Sequence, residues 1–138
     1  MKPKFFILKH GGGSIPFVLS YLEGRFQIRS ALVSDITWVS EGVQPGKGVT
    51  ISLRDRNIPR KVFLDKLLQL AAKSGIPYQL EVEGDGSSDG REIQISPFPL
   101  DWCFIGAPED LVHSPDERVY LKDIDAMIEM YNYLMKNL

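Results

Sequence analysis

The sequence predicts an α/β fold, because strand-like apolar runs alternate with amphipathic helices along most of its 138 residues. The helical pattern of residues 59–74 is followed by a strand pattern at 78–82, the order expected for a crossover packed on a sheet. The composition is 43% hydrophobic and 25% charged, as in globular proteins with a core of their own. We therefore expect residues 1–138 to form one α/β domain.

The first half of the chain is predicted to be rich in strands. Residues 4–8 are an apolar run that ends at a triple glycine, and a helix with Ser14 as N-cap and Gly24 as terminator follows. Residues 31–38 and 49–53 form longer apolar runs typical of strands. A short strand is expected at 26–28.

The second half is predicted to contain the longest helices. The 59–74 helix presents an apolar face and ends before Gly75. Residues 92–96 fit a helical turn or a strand equally well. A closing helix follows Asp123 and Asp125, acids suited to a helix start, and its apolar residues recur at a spacing of three to four: Ile124, Met127, Ile128, Tyr131, Leu134, Met135 and Leu138.

Residues of possible chemical importance follow two of the apolar runs. Residues 102–106 are predicted to be a buried strand and 107–115 a loop that carries His113 away from its carboxyl end. Asp35 lies at the end of the 31–38 run. In open α/β sheets ligands bind at the carboxyl ends of strands. From the pattern alone Asp35 is either a turn or ion-pair residue or a metal ligand.

Charge and composition exclude several classes of partner. The net charge of −2 provides no basic face for nucleic acid or anionic lipid. No run approaches the roughly 18 apolar residues of a spanning helix, and the N-terminal apolar stretch is too short for a signal peptide. A single cysteine, Cys103, fits a reducing compartment. We expect a cytoplasmic protein without nucleic-acid or membrane partners.

Four segments, in this order, resemble the tetrahedral aminopeptidases, which are cytoplasmic dinuclear-zinc exopeptidases also labelled glutamyl aminopeptidases or cellulases. Residues 33–37 (VSDIT) with 44–46 (QPG) are similar to that family's acid-bearing strand and Pro-Gly loop. Residues 74–79 (SGIPYQ) are similar to its helix-to-strand junction. Residues 86–90 (GSSDG) with 93–96, and 112–115 (VHSP) with Glu117, are similar to its later loop and its terminal ligand segment.

The resemblance implies a three-layer αβα sandwich with a mixed central sheet, like that of the zinc exopeptidases but truncated at the N-terminus. It implies that Asp35 binds one metal ion and His113 the other, and that Asp89 shapes the floor of the substrate pocket. Zinc or cobalt would be the cofactor and a peptide the substrate.

The resemblance also exposes a shortage of ligands. In the family an early histidine, a bridging aspartate and a pair of adjacent glutamates complete the site. Residues 5–13 lie where the glutamate pair is expected, and His10 and Gly11 stand in its place. The early histidine and the bridging aspartate would precede Met1. A catalytic zinc needs about three protein ligands and its water needs a base, so we expect this chain to be inactive alone.

Three hypotheses follow. The first is that the chain is the C-terminal half of an aminopeptidase catalytic domain, whose remainder is supplied by a complementary chain or has been cut away. The second is a non-catalytic relative that acts in binding or assembly and holds no metal. The third hypothesis is a different catalyst that uses Cys103 or His10. A homo-oligomer is compatible with the first two.

Overall fold

The computed structural model describes residues 14–138. Its elements in chain order are α1 (Ile15–Glu23), β1 (Ser30–Trp38), β2 (Val49–Arg54), α2 (Lys61–Ser74), β3 (Tyr78–Val82), α3 (Gly90–Gln94), β4 (Asp101–Asp110), β5 (Arg118–Val119) and α4 (Leu121–Asn137). The predicted strand and helix order is therefore present. Within these residues no helix combines the length and the apolar character that crossing a bilayer requires.

The strands form one mixed sheet in the order β1-β4-β2-β3, with β5 paired to the end of β4. β1 and β4 are parallel over their length, from the pair Ser30–Asp101 to the pair Trp38–Glu109. β2 is antiparallel to β4, and β3 is parallel to β2. β1 and β4 therefore end at the same edge of the sheet.

Helices cover both faces of this sheet. α2 and α4 pack on one face, where the buried side chains are Val49, Ile51, Phe63, Leu64, Leu67, Ala71, Cys103, Ile105, Ala126, Met130 and Leu134. α1 and α3 pack on the other, where they are Ile15, Leu19, Val33, Ile93, Trp102 and Phe104. The expectation of a three-layer αβα sandwich with a mixed sheet is confirmed.

The structure corrects one boundary near the candidate site. Residues 107–115 were expected to be a loop, but β4 continues through Pro108 to Asp110. The backbone of Glu109 faces β1, since its carbonyl accepts a hydrogen bond from Val39 at 3.1 Å. Pro108 therefore faces away from β1, beyond the last paired residues of β2. A proline does not destabilise a strand at a position where no backbone N–H is needed for a hydrogen bond to a neighbouring strand.

Three smaller expectations are also settled. No strand forms at 26–28, because Phe26 still donates its N–H to Leu22 in the last turn of α1. The ambiguous segment 92–96 begins inside the short helix α3. Ser14 precedes α1 without a side-chain capping bond. The predicted strand at 4–8 and the glycine turn lie outside the described residues.

Candidate functional site

Asp35 lies near the carboxyl end of β1, directly beside Gly106 of β4. Its side chain is exposed, and its Oδ1 accepts the backbone N–H of Ile36 at 2.9 Å. A Cβ at position 106 would lie 2.6 Å from the Asp35 carbonyl oxygen, so only glycine allows the two strands to approach here. The backbone that carries Asp35 is thereby fixed, while the second carboxylate oxygen is left for other partners.

His113 lies in a tight turn that follows β4. Leu111 and His113 have φ angles of 57° and 65°, the left-handed region that residues other than glycine rarely adopt. Glu117 stabilises the turn by accepting the His113 N–H on Oε1 at 2.5 Å. Asp110 does the same for the N–H of Leu111 at 3.0 Å. Such backbone strain is concentrated at functional sites, which makes this turn a candidate.

The pKa of Glu109 links Asp35 to His113. Burial raises the pKa of the Glu109 carboxyl, the charges of Glu117 and Asp35 raise it further, and His113 lowers it. Glu109 is therefore close enough to interact electrostatically with both predicted metal ligands, which are far apart in sequence. The Glu109 side chain was not singled out from the sequence, because it fell inside the segment expected to be a loop.

Asp89 is part of the same region. Burial raises the pKa of its carboxyl, and the neighbouring charges of Asp35 and then Glu92 add to this effect. The preceding loop is held by Asp55, whose Oδ2 accepts the N–H and the hydroxyl of Ser88 at 2.8 and 2.9 Å. Asp89 thus sits at the start of α3 on a fixed loop and faces the charge of Asp35.

The Pro-Gly loop that follows β1 is held by two polar side chains. The fully buried carboxylate of Asp123, in the first turn of α4, accepts the N–H groups of Gly46 at 2.6 Å and Gly48 at 2.8 Å. The amide of Gln79 accepts the N–H of Gln44 and donates to its carbonyl, at 2.8 and 2.9 Å. The sequence marked Asp123 only as an acid at a helix start.

The described residues offer the donor types of a zinc or cobalt site but not a complete set. Carboxylate oxygen and imidazole nitrogen both suit these ions. Yet among residues 14–138 no three side chains of His, Cys, Asp or Glu are grouped so that they could hold an ion. A complete catalytic metal centre therefore does not fit the described part of the chain alone. His10 lies outside the described residues.

Cys103 has the surroundings of a structural thiol rather than those of a nucleophile. Its side chain is fully buried in the core beneath α2 and α4. Burial raises the pKa of the thiol to about 12, so the reactive thiolate is suppressed near neutral pH. This counts against the hypothesis of catalysis by Cys103.

Fold and site together define an αβα sandwich with an acidic, histidine-containing region where two parallel strands end. The sequence model of the M42 glutamyl aminopeptidase family matches residues 24–130. The chain belongs to this family, as its sequence predicted.

Relatives of known name agree with this assignment. A curated protein of Acetivibrio thermocellus, named as an aminopeptidase, is 34% identical over 89 residues. Among solved structures, an aminopeptidase of the archaeon Desulfurococcus kamchatkensis superimposes with a TM-score of 0.80 at 23% identity over 93% of this chain. The TET1 peptidase of Pyrococcus horikoshii, described as assembling into a tetrahedron or a large octahedral shell, gives 0.73 at 22% identity over 89%.

The match covers only part of each relative. This chain spans 27% of the curated relative's length and 38% of the length of both archaeal structures. The fold likeness therefore concerns one portion of a larger protein in each case.

Proposed function

We propose that this chain supplies one part of the divalent-metal site of an aminopeptidase domain. Asp35 and His113 act as ligands of different ions, zinc or cobalt, and Asp89 forms the floor of the pocket for the peptide substrate. The remaining ligands and the general base come from the portion of the domain that the chain does not span, which we call the complementary segment. The observation that carries this proposal is that β1, which bears Asp35, and β4, which leads into the His113 turn, run parallel and end at the same edge of the sheet.

Each of these residues has a role that its surroundings support. One oxygen of Asp35 is held by the Ile36 N–H, which fixes the direction of the other. Glu117 holds the backbone of His113 in its strained conformation and so fixes the point from which the imidazole extends. The acids around Asp35 favour a cation, whether a metal ion or the ammonium group of a peptide N-terminus. A bound divalent ion would supply Lewis acidity at this position.

Metal content and hydrolysis are the measurements that test the proposal. The purified chain is stripped with EDTA, loaded with zinc or cobalt, and assayed with an aminoacyl anilide. We expect less than one ion per chain, no hydrolysis, and a further loss of bound ion in Asp35→Ala and His113→Ala. Asp85→Ala, which removes an exposed acid of the same loop as Asp89, should bind as the unmodified chain does.

Two results would contradict the proposal. Stoichiometric zinc together with hydrolysis by the chain alone would show that its own residues complete the site. Binding that neither Asp35→Ala nor His113→Ala weakens would show that these residues are not ligands.

The second candidate function is that of a non-catalytic relative acting in binding or assembly. It is favoured by His10 and Gly11 standing where the family has two acids. A mixture with the complementary segment that forms a complex but neither binds zinc nor hydrolyses the anilide would favour it. For either function we propose one domain over residues 1–138, a cytoplasmic location in keeping with the buried free thiol of Cys103, and a homo-oligomer, which light scattering tests.

A further inference from the structure

One part of the sheet buries hydroxyl groups where apolar side chains are usual. Val49 and Ile51 of β2 pack against α2 and α4, so Thr50 and Ser52, which alternate with them, face the other side of the sheet. There Thr50 is 0% exposed and Ser52 is 2% exposed. Burying a hydroxyl group is unfavourable unless the group is hydrogen-bonded.

Glu81 of β3 and Thr37 of β1 are buried on the same face, each 7% exposed. The Thr37 hydroxyl donates a hydrogen bond to Oε1 of Glu81. Ser52 is the register partner of Glu81, and Thr50 lies nearer than Ser52 to the level of Thr37, because β2 is antiparallel to β4. The bond between Glu81 and Thr37 therefore crosses β2 and β4 diagonally, past Thr50. We call these four residues the polar cluster.

One hydroxyl of the polar cluster lacks a partner. Thr37 donates to Glu81, and Ser52 lies close enough to the Glu81 carboxyl to lower its pKa. The Oγ1 of Thr50, in contrast, has no hydrogen-bond partner among residues 14–138. Buried polar atoms are rarely left in this state, so the orphaned hydroxyl indicates a group that binds beside it.

The Glu81 carboxyl also lacks a counter-charge. Burial raises its pKa, and the charges of Glu83 and Asp55, which are acids themselves, raise it further. No basic side chain of the described residues is among the groups that shift this pKa. A buried carboxylate needs a positive partner to remain ionised, and here a cation from solution would supply it.

We propose that the polar cluster binds one monovalent metal cation, sodium or potassium. Its donors are one carboxylate and three hydroxyl groups, and hard cations prefer oxygen ligands of this kind. A single carboxylate neutralises a single positive charge, whereas a divalent ion would leave a net charge buried. The cluster includes neither Asp35 nor His113, so this inference does not rest on the proposed function.

Urea unfolding in three chloride salts tests the site. The full chain is stripped with EDTA, dialysed, and unfolded in sodium, potassium or choline chloride at equal ionic strength; choline is too large for the cluster to enclose. A ligand at about ten times its dissociation constant raises the folding equilibrium constant about tenfold. We expect a rise of that size in sodium or potassium chloride, relative to choline chloride, as the salt concentration increases.

Matched variants assign the effect to the polar cluster. Glu81→Gln and Thr50→Val each remove one donor with little change of shape, and each should abolish the difference between the salts. Glu129→Gln is the control and should keep it, because Glu129 is an exposed acid of α4. Circular dichroism establishes that each variant is folded.

An NMR titration of the unmodified chain keeps the test valid if a variant unfolds. The amide signals of Thr50, Ser52 and Glu81 should shift and saturate with sodium or potassium chloride, and should stay unchanged with choline chloride.

Three outcomes would overturn the cation site. Equal folding constants in the three salts, with unchanged amide signals, would leave water as the partner of Thr50. A difference between the salts that persists in both Glu81→Gln and Thr50→Val would place the effect elsewhere. Stabilisation by magnesium or calcium chloride but by neither monovalent salt would refute the charge argument. Zinc and cobalt are absent from these measurements, so the proposed function is tested separately.

Discussion

Replacing Asp123 by alanine tests how the loop after β1 is held in place. The Asp123 carboxylate is fully buried and accepts two backbone N–H groups, those of Gly46 and Gly48. Hydrogen bonds to a charged acceptor contribute about 1.5–3 kcal/mol each, and an orphaned buried donor costs a similar amount. We expect Asp123→Ala to lower the free energy of unfolding by about 3–5 kcal/mol, allowing for some relaxation of the loop.

That loss is a large share of the roughly 5–15 kcal/mol that stabilises a typical domain. The assay is urea unfolding followed by the fluorescence of Trp38 and Trp102. Asp125→Ala is the matched control, because Asp125 lies on the same helix turn but is exposed. It should change stability by less than about 0.5 kcal/mol.

An Asp123→Ala protein as stable as the Asp125→Ala protein would refute this reasoning. Asp123→Asn is informative as well, because its amide keeps one acceptor and presents a donor to the second N–H. Its loss of stability should fall between those of the two alanine variants.

The remaining predictions concern a buried acid, the core thiol and a glycine. Burial raises the pKa of Glu81, so the folded protein favours the protonated carboxyl. This contribution to stability is present at pH values below the usual pKa range of glutamate, and it is lost as pH rises through the raised pKa. Glu81→Gln should remove this dependence and raise stability at pH 7, as urea unfolding at several pH values checks. Cys103 should react with a thiol reagent at pH 8 only after unfolding, because burial hides the thiol and raises its pKa; fast labelling of folded protein would contradict this. Gly90→Ala should cost about 1–3 kcal/mol, because its Cβ would lie 2.3 Å from the Trp102 ring, whereas Gly84→Ala meets no neighbour and should be neutral.

Short sequence patterns predicted the elements whose boundaries are set by neighbouring residues, such as proline and glycine. The sequence predicts the β3 strand at 78–82, and it occurs there, between Pro77 and the glycine at position 84. The α2 helix ends at Ser74 because Gly75 adopts the left-handed conformation, with φ of 72°, that a C-terminal glycine predicts. These signals lie within a few residues of the feature that they determine.

Features decided by distant partners could not be predicted in this way. β4 passes through Pro108 because the neighbouring strand β2 no longer pairs there, which is a fact of topology. Asp123 is buried because two glycine amides some 75 and 77 residues earlier meet it. At the candidate site, Asp35 and His113 were singled out by their positions after apolar runs and then by the family resemblance. Glu109, which interacts with both, becomes evident only once β4 and β1 are paired.

Four of the partly or fully buried acids among residues 14–138 fall into two groups that differ in the groups that surround them. Asp123 and Asp55 accept backbone N–H groups, so their charges stabilise the loops that they hold. Asp89 and Glu109 have raised pKa values, caused first by burial and then by neighbouring acids that include Asp35 in both cases. Charges arranged in this way oppose folding, because each disfavours the ionised form of the other. A cation bound beside Asp35, as the proposed function requires, would reduce this repulsion.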